Sequence, residues 1–208
     1  MVAPKLVDSP RGVALIETAR TRGLEVAELD EKEFRSAAET ESPQGIIAIA
    51  QAPKHTLDTL VVSDPVRYLL LDAVQDPGNV GTIIRTAAAL GASATIALPG
   101  TVDVWNAKVV RSAMGAHFHH PAFHASWEEV DAFLTRASIP LWAADADGEP
   151  LSGKAPARLA LAVGNEGSGL TASIRSQASR IVSLPIASMV ESLNVAVATG
   201  ILLHELRP

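Results

Sequence analysis

The 208-residue chain contains no cysteine. Disulfides, thiolate nucleophiles and cysteine-based zinc sites are thereby excluded, and nothing in the sequence asks for an oxidising compartment. Aromatic residues make up only 4% of the total, so a single-strand binder built on stacking platforms is a poor fit. No apolar run approaches the roughly 20 residues of a membrane span, so no membrane partner is expected. Met1–Pro10 lacks a basic segment followed by an apolar core, so it does not read as a secretory signal, and a cytoplasmic location is expected. Basic residues are also in deficit, with 17 Lys and Arg against 23 Asp and Glu. The resulting net charge of −6 argues against bulk nucleic-acid binding, although it leaves room for a local basic patch.

What remains is the composition of a folded, soluble and globular protein, 48% hydrophobic and 19% charged, and the alternation of strands and helices along it is that of an α/β fold. The spacing of apolar residues predicts a helix over Gly12–Arg22, ended by Gly23. Leu24–Leu29 alternates apolar and acidic residues as a half-buried strand does. Asp30 is placed to cap a short helix through Ala38, and Gly45–Ala50 reads as a buried strand. This fragment, residues 1–52, is small for an independent core. Gln51–Pro65 has no strong pattern, and residues 53–65 read as a linker.

From residue 66 onward strands and helices alternate, which predicts a mostly parallel sheet. Strands are expected at Tyr68–Asp72, Ala94–Leu98, Leu141–Ala144, Leu159–Val163 and Ile181–Leu184. Helices are expected at Val80–Leu90, Asn106–Met114, Trp127–Ala137, Leu170–Gln177 and Val195–Leu206. Ligands of such sheets sit at the carboxyl ends of the strands. Three loops there are rich in Gly, Asn, Glu and Ser.

The first loop reads DPGNVGTIIR. Gly78 and Gly81 suit a tight turn and Asn79 suits a helix N-cap, whereas Arg85 on the helix is either a snorkelling surface residue or functional. The second reads AVGNEGSGL, where three glycines permit close backbone approach and Glu166 stands at the mouth of the sheet, beside a helix start. The third, Leu184–Asn194, places Ser192 and Asn194 at a helix start but is otherwise unusually apolar for a loop. Backbone polar groups among small apolar side chains suit an adenine ring.

Taken in order, N-x-G-x-x-x-R-x-A (Asn79, Gly81, Arg85, Ala87), G-N-E-G (Gly164–Gly167) and L-P-I…S-L-N-V (Leu184–Ile186, Ser192–Val195) resemble the three motifs of the SpoU (TrmH-like) branch of the SPOUT RNA methyltransferases. The resemblance covers about Tyr68 to Leu206, and Val104–Phe118 is similar to the family's segment between the first two motifs. Thr40–Ile49 resembles the end of the small substrate-binding domain that often precedes the catalytic one, which implies that residues 1–52 are a partial RNA-binding domain.

The resemblance implies an S-adenosylmethionine (AdoMet)-dependent RNA 2′-O-methyltransferase without a metal, acting on ribosomal RNA, with transfer RNA the second choice. It also implies a C-terminal trefoil knot and a homodimer. By motif position Gly164, Leu184, Ile186, Met189, Leu193 and Asn194 would line the AdoMet pocket. Arg85 would be the catalytic arginine, with Asn79, Glu166, Ser192 and Asn194 around it. Because a guanidinium is almost never deprotonated in proteins, Arg85 is expected to grip a phosphate, held in place by Asn79 and Glu166.

Two other patterns compete. Gly148–Ala155 is one residue short of a P-loop, but Ala155 cannot coordinate magnesium and Pro156 disfavours the required helix. His117, His119, His120 and His124 could suggest zinc, but no carboxylate lies nearby in sequence, and they are expected to face solvent or RNA. A non-catalytic RNA-binding or ribosome-assembly protein on the same fold is the reading from another class. It leaves the retention of Asn79, Arg85, Glu166, Ser192 and Asn194 unexplained.

Overall fold

The computed structural model describes residues 1–38, 40, 42–187 and 189–207. The chain divides into two compact units, Met1–Ala52 and Pro53–Pro208.

The smaller unit is organised around Val2. This residue makes a parallel bridge to Glu28 on one side and an antiparallel bridge to Ile46 on the other. Three short helices complete the unit: α1 (Pro4–Val7), α2 (Pro10–Thr21) and α3 (Glu31–Ala37). Ser9 caps α2 by accepting from the Gly12 amide, with Pro10 pre-setting the first helical residue. Asp30 and Glu33 close a reciprocal capping box on α3. The two strands expected here are reduced to those single bridges. Ile49 is 87% exposed and Leu24 61%, so neither segment is buried along its length. A unit this small has too little apolar surface to cover both faces of an added strand.

The larger unit is a six-stranded, wholly parallel sheet in the order β3-β2-β1-β5-β4-β6. Its elements run β1 (Val66–Leu71), α4 (Pro77–Ala89), β2 (Ala94–Ala97), α5 (Ala107–Ser112), β3 (Ala122–His124), α6 (Trp127–Ala137), β4 (Leu141–Pro150), β5 (Arg158–Val163), α7 (Ala172–Gln177), β6 (Arg180–Ser183) and α8 (Val195–Glu205). Helices cover both faces, so β1 is buried at every position, as a central parallel strand must be. Leu69 and Leu71 face a core shared with α4, α5 and α8, while Val66, Tyr68 and Leu70 face one shared with α6 and Ile174 of α7.

Several expectations are corrected. Residues 53–65 are not a free linker: Leu57, Leu60 and Val62 pack on the second core. The Tyr68 hydroxyl donates to the Val61 carbonyl at 3.0 Å, and Asp64 pairs with Arg158 at 2.7 Å. Gly78 and Gly81 have no positive φ, so neither serves as a turn glycine. Gly81 is instead a packing glycine, since a Cβ there would lie 2.2 Å from Ser112 Oγ and 2.5 Å from the Val109 carbonyl. It lets α5 close onto α4. Gly148–Ala155 leads from β4 toward β5 and not into a helix, which removes the P-loop reading.

The histidines are also placed differently from expectation, because His117 and His120 are buried. His117 Nε2 lies 2.9 Å from the Val104 carbonyl and its ring packs on Trp105, while His120 Nε2 lies 2.8 Å from Thr95 Oγ1. Of these four, only His119 and His124 are exposed, and His124 accepts from the Val104 amide. Burial, reinforced by the nearby His117, pushes His120 down to about 4. The neutral form is therefore favoured in the folded state, against about 6.5 for an unfolded chain. The associated stability is fully present above about pH 6.5 and is lost as pH falls from there through about 4. It amounts to at most about 3 kcal/mol. Urea denaturation across this range should show a steeper loss for the unsubstituted protein than for His120→Gln; identical slopes would rule His120 out as the source.

Candidate active site

Because every strand runs the same way, the carboxyl ends of β1, β5 and β6 open onto one edge of the sheet. Each is followed by one of the three loops singled out in the sequence. Hydrogen bonds join these loops across large sequence separations.

The connection passes through Asn79. Asp76, and not Asn79, caps α4 by accepting from the Asn79 amide at 2.7 Å. The Asn79 side chain is thereby left for longer-range bonds. Its Nδ2 donates to Glu166 Oε1 at 2.9 Å, and its Oδ1 accepts from Asn194 Nδ2 at 3.0 Å. Asn194 is in turn the N-cap of α8, its Oδ1 accepting from the Ala196 and Val197 amides at 2.9 and 3.3 Å. The two ends fix both amide orientations. Backbone N–H groups require the oxygen of Asn194, and a carboxylate requires the nitrogen of Asn79. The result is an oriented relay from the start of α8 through two amides to a carboxylate, each bond polarising the next.

Three of the five residues expected around the reaction are thus brought together. The other two are not part of the relay. Arg85 is exposed on α4 and has no hydrogen bond or ion pair among the described residues, so the expected grip by Asn79 and Glu166 is absent. Asn79 spends its donor on Glu166 instead. Ser192 is exposed and likewise unbonded among the described residues, leaving Asn194 as the residue that caps α8.

The expected pocket residues lie on the same edge. Gly164 has no room for a side chain, since a Cβ would lie 2.4 Å from the Gly169 carbonyl carbon and 2.6 Å from the Leu170 amide. Leu184 is half-buried against the core, whereas Ile186 and Leu193 are 39% and 37% exposed. Met189 is 88% exposed. Between residues 184 and 193 the only backbone hydrogen bond among the described residues runs from the Val190 amide to the Ala187 carbonyl. The loop therefore offers free backbone donors and acceptors beside exposed apolar side chains.

Two residues that matter here were not singled out as site residues from the sequence. Asn165 organises the second loop: its Oδ1 accepts from the Gly167 and Ser168 amides and its Nδ2 donates to the Ala73 carbonyl. An Asn followed by small residues is a known local turn former, and that was the available signal. Asp72, 2% exposed, accepts from the Thr171 amide at 2.6 Å. Only its position, as the charge closing an apolar strand, hinted at a role.

Residues 67–204 match the model of the SpoU rRNA Methylase family. The chain belongs to that family. It is 38% identical over 192 residues to the 23S rRNA (guanosine(2553)-2′-O)-methyltransferase RlmP of Bacillus subtilis, covering 89% of this chain and 73% of that protein. It is 33% identical to the 23S rRNA (guanosine-2′-O-)-methyltransferase RlmB of Shewanella oneidensis, covering 95% of this chain and 84% of that one. Among solved structures it resembles the SpoU methyltransferase AviRb from Streptomyces viridochromogenes in complex with AdoMet. There the TM-score is 0.86 at 31% identity, over 95% of this chain and 77% of that chain. An AdoMet-bound rRNA methyltransferase from Sinorhizobium meliloti gives a TM-score of 0.84 at 32% identity, over 94% of this chain and 76% of that chain.

Within this SpoU chain the Asn194 cap can be separated from the relay by substitution. Asn194→Ala should lower stability by about 1 kcal/mol, as loss of an N-cap does. Asn194→Asp retains the cap acceptor and should restore that stability while still lacking the donor to Asn79. Equal denaturation midpoints for the Ala variant and the unsubstituted protein would contradict the capping assignment.

Proposed function

We propose that the protein is an AdoMet-dependent methyltransferase that modifies a ribose 2′-hydroxyl of ribosomal RNA. The observation that carries this reading is the bonded junction of three family-motif loops at one sheet edge, through Glu166, Asn79 and Asn194. The site fits AdoMet. The loop from Leu184 to Leu193 combines free backbone groups with the exposed apolar side chains Ile186 and Leu193, which suits an adenine ring. Gly164 gives the opposite wall its close-packed backbone. Met189 stands at the rim and Asn194 closes the slot at the helix start. When bound, AdoMet supplies a sulfonium methyl group for in-line transfer to an oxygen.

The chain's own residues then orient the acceptor. Arg85 has a free planar guanidinium suited to bidentate contact with a phosphate, which would place the adjacent ribose hydroxyl. It holds its charge throughout and accepts no proton. The hydroxyl proton leaves to a neighbouring oxygen or water. The relay keeps Asn79 and Glu166 fixed, so approach of the hydroxyl requires little reorganisation. Ser192, exposed beside Asn194, is free to contact the nucleotide. No metal takes part in this scheme.

In the same reading, residues 66–208 form the methyltransferase domain and residues 1–52 contribute to RNA selection. The C-terminal segment forms the trefoil knot of the family, an exception to the rule that chains do not thread loops. The enzyme works in the cytoplasm as a homodimer. Helix α8 supports the dimer: Ala196, Leu202 and Leu203 face inward, yet Val197 and Ile201 are 52% and 41% exposed on its outer side. Among the described residues, no helix is long and apolar enough to cross a membrane. Ribosomal RNA is favoured over transfer RNA because the relatives RlmP and RlmB are 23S rRNA methyltransferases.

Calorimetry with AdoMet tests the cofactor, and absence of binding would favour a non-catalytic RNA-binding protein. Mass spectrometry of ribosomal RNA from a deletion strain should show one ribose methyl missing. Arg85→Lys keeps the charge but loses the planar fork, so kcat should fall by about tenfold or more with AdoMet affinity unchanged. A near-normal kcat would overturn the bidentate role.

A further inference from the structure

Asp72 is a carboxylate 2% exposed at the end of β1, and the mechanism above does not use it. Burying a carboxylate is costly unless it is hydrogen-bonded, so its partner is informative. That partner is the amide of Thr171, at 2.6 Å, the residue at the N-cap position of α7. One residue further along the chain, the Ala73 carbonyl accepts from Asn165 Nδ2 at 2.8 Å, and Ala73 itself holds a left-handed φ of 58° that an alanine rarely adopts. The root of the first loop therefore grips the second loop at both of its ends, Asn165 and Thr171.

Between those two grips the second loop is closed on itself. Asn165 and Gly169 exchange both backbone hydrogen bonds, at 2.9 and 3.0 Å. Asn165 Oδ1 gathers the Gly167 and Ser168 amides, both at 2.9 Å. Glu166 sits inside this closed turn and Gly164 packs against its far side. The backbone shape of this loop and of its glycine wall is consequently set from β1, through two side chains, while the Glu166 carboxylate itself is held by Asn79.

We propose that Asp72 and Asn165 are positioning residues that clamp the Gly164–Leu170 loop in the shape required to bind AdoMet, without touching the reacting atoms. This rests on the AdoMet-dependent reading of the site, and it adds residues whose work is preorganisation of the cofactor wall. A loop left to order itself on binding would weaken affinity by the entropy of its ordering. The effect should therefore fall on cofactor binding more than on turnover. Asn79 is a second anchor for Glu166 that neither substitution removes, so chemistry at saturating cofactor should change less than cofactor binding.

The test uses the full chain. Asn165→Ala and Asp72→Ala should each raise the Kd and KM for AdoMet by about tenfold or more, with kcat at saturating AdoMet within about threefold of normal. Asp72→Asn keeps an acceptor for the Thr171 amide and should restore near-normal binding. Without any ligand, hydrogen exchange at the amides of residues 167–171 should quicken by about tenfold or more in both alanine variants. If Asp72→Ala does not fold, Asn165→Ala at the half-buried loop position carries the test alone. Unchanged exchange in a folded Asn165→Ala protein, or unchanged AdoMet affinity with faster exchange, overturns the clamp. Failure of the unsubstituted protein to bind AdoMet overturns the functional reading and the cofactor half of the clamp, with exchange still deciding whether Asp72 and Asn165 anchor the loop.

Discussion

The parallel pairing of β1 with β5, from Val66 opposite Arg158 to Leu71 opposite Val163, is the constraint on which the site depends. These two strands are consecutive neighbours in the sheet but lie about ninety residues apart in sequence, with β2, β3 and β4 formed between them. Because they run in the same direction and end in register, Asp72 and Gly164 leave the sheet side by side. A shift of one residue would turn every β1 side chain to the opposite core and separate the Ala73 carbonyl from Asn165. The register is protected by burial on both faces. Leu69 and Leu71 fill one core, while Val66, Tyr68 and Leu70 fill the other.

Given that register, the polar groups at the sheet edge form a graded structure. Deepest are the grips from Asp72 and Asn165, which set backbone shape. Above them is the relay from α8 through Asn194 and Asn79 to Glu166. Outermost stand Arg85, Ser192 and Met189, all exposed. The groups with most bonds lie deepest, and those with fewest are the most exposed. This ordering agrees with the proposed chemistry, in which positioning carries most of the work and no side chain must change its bonding before the methyl group moves.

The helices are packed to the same end. Gly81 allows α5 to approach α4 closely enough for Ser112 Oγ to lie 3.3 Å from the Pro77 carbonyl, at the first turn of α4. The start of α4, which carries Asn79, is thereby braced from outside as well as from the relay. At the other end of the unit Arg67 is buried and donates to the Leu206 carbonyl at 2.7 Å, holding the last turn of α8 with a cation where the helix dipole favours one. Both helices of the relay are thus fixed at points away from it.

Sequence alone marks every α-helix of the larger unit, five of its six strands and the three loops, but not the three-residue β3 (Ala122–His124) nor the extension of β4 from Ala144 to Pro150. Apolar runs flanked by Gly and Pro mark β1 and β5, and helical spacing marks α6 to the residue, because these signals are local. It also marked Asn79, Glu166 and Asn194 through their motifs. Only the tertiary structure decided what those residues do to one another. Asn79 looked like a cap, yet Asp76 three positions earlier takes that role and frees Asn79 for bonds that span 87 and 115 residues. The roles of Asp72 and Asn165 are not legible in the sequence because their partners, Thr171 and Ala73, lie 99 and 92 residues away. The polar character of His117 and His120 suggests surface residues, but packing against Trp105 and Thr95 buries them. Periodicity reports which face of an element is buried, but the partner it meets there is set by the order of strands in the sheet.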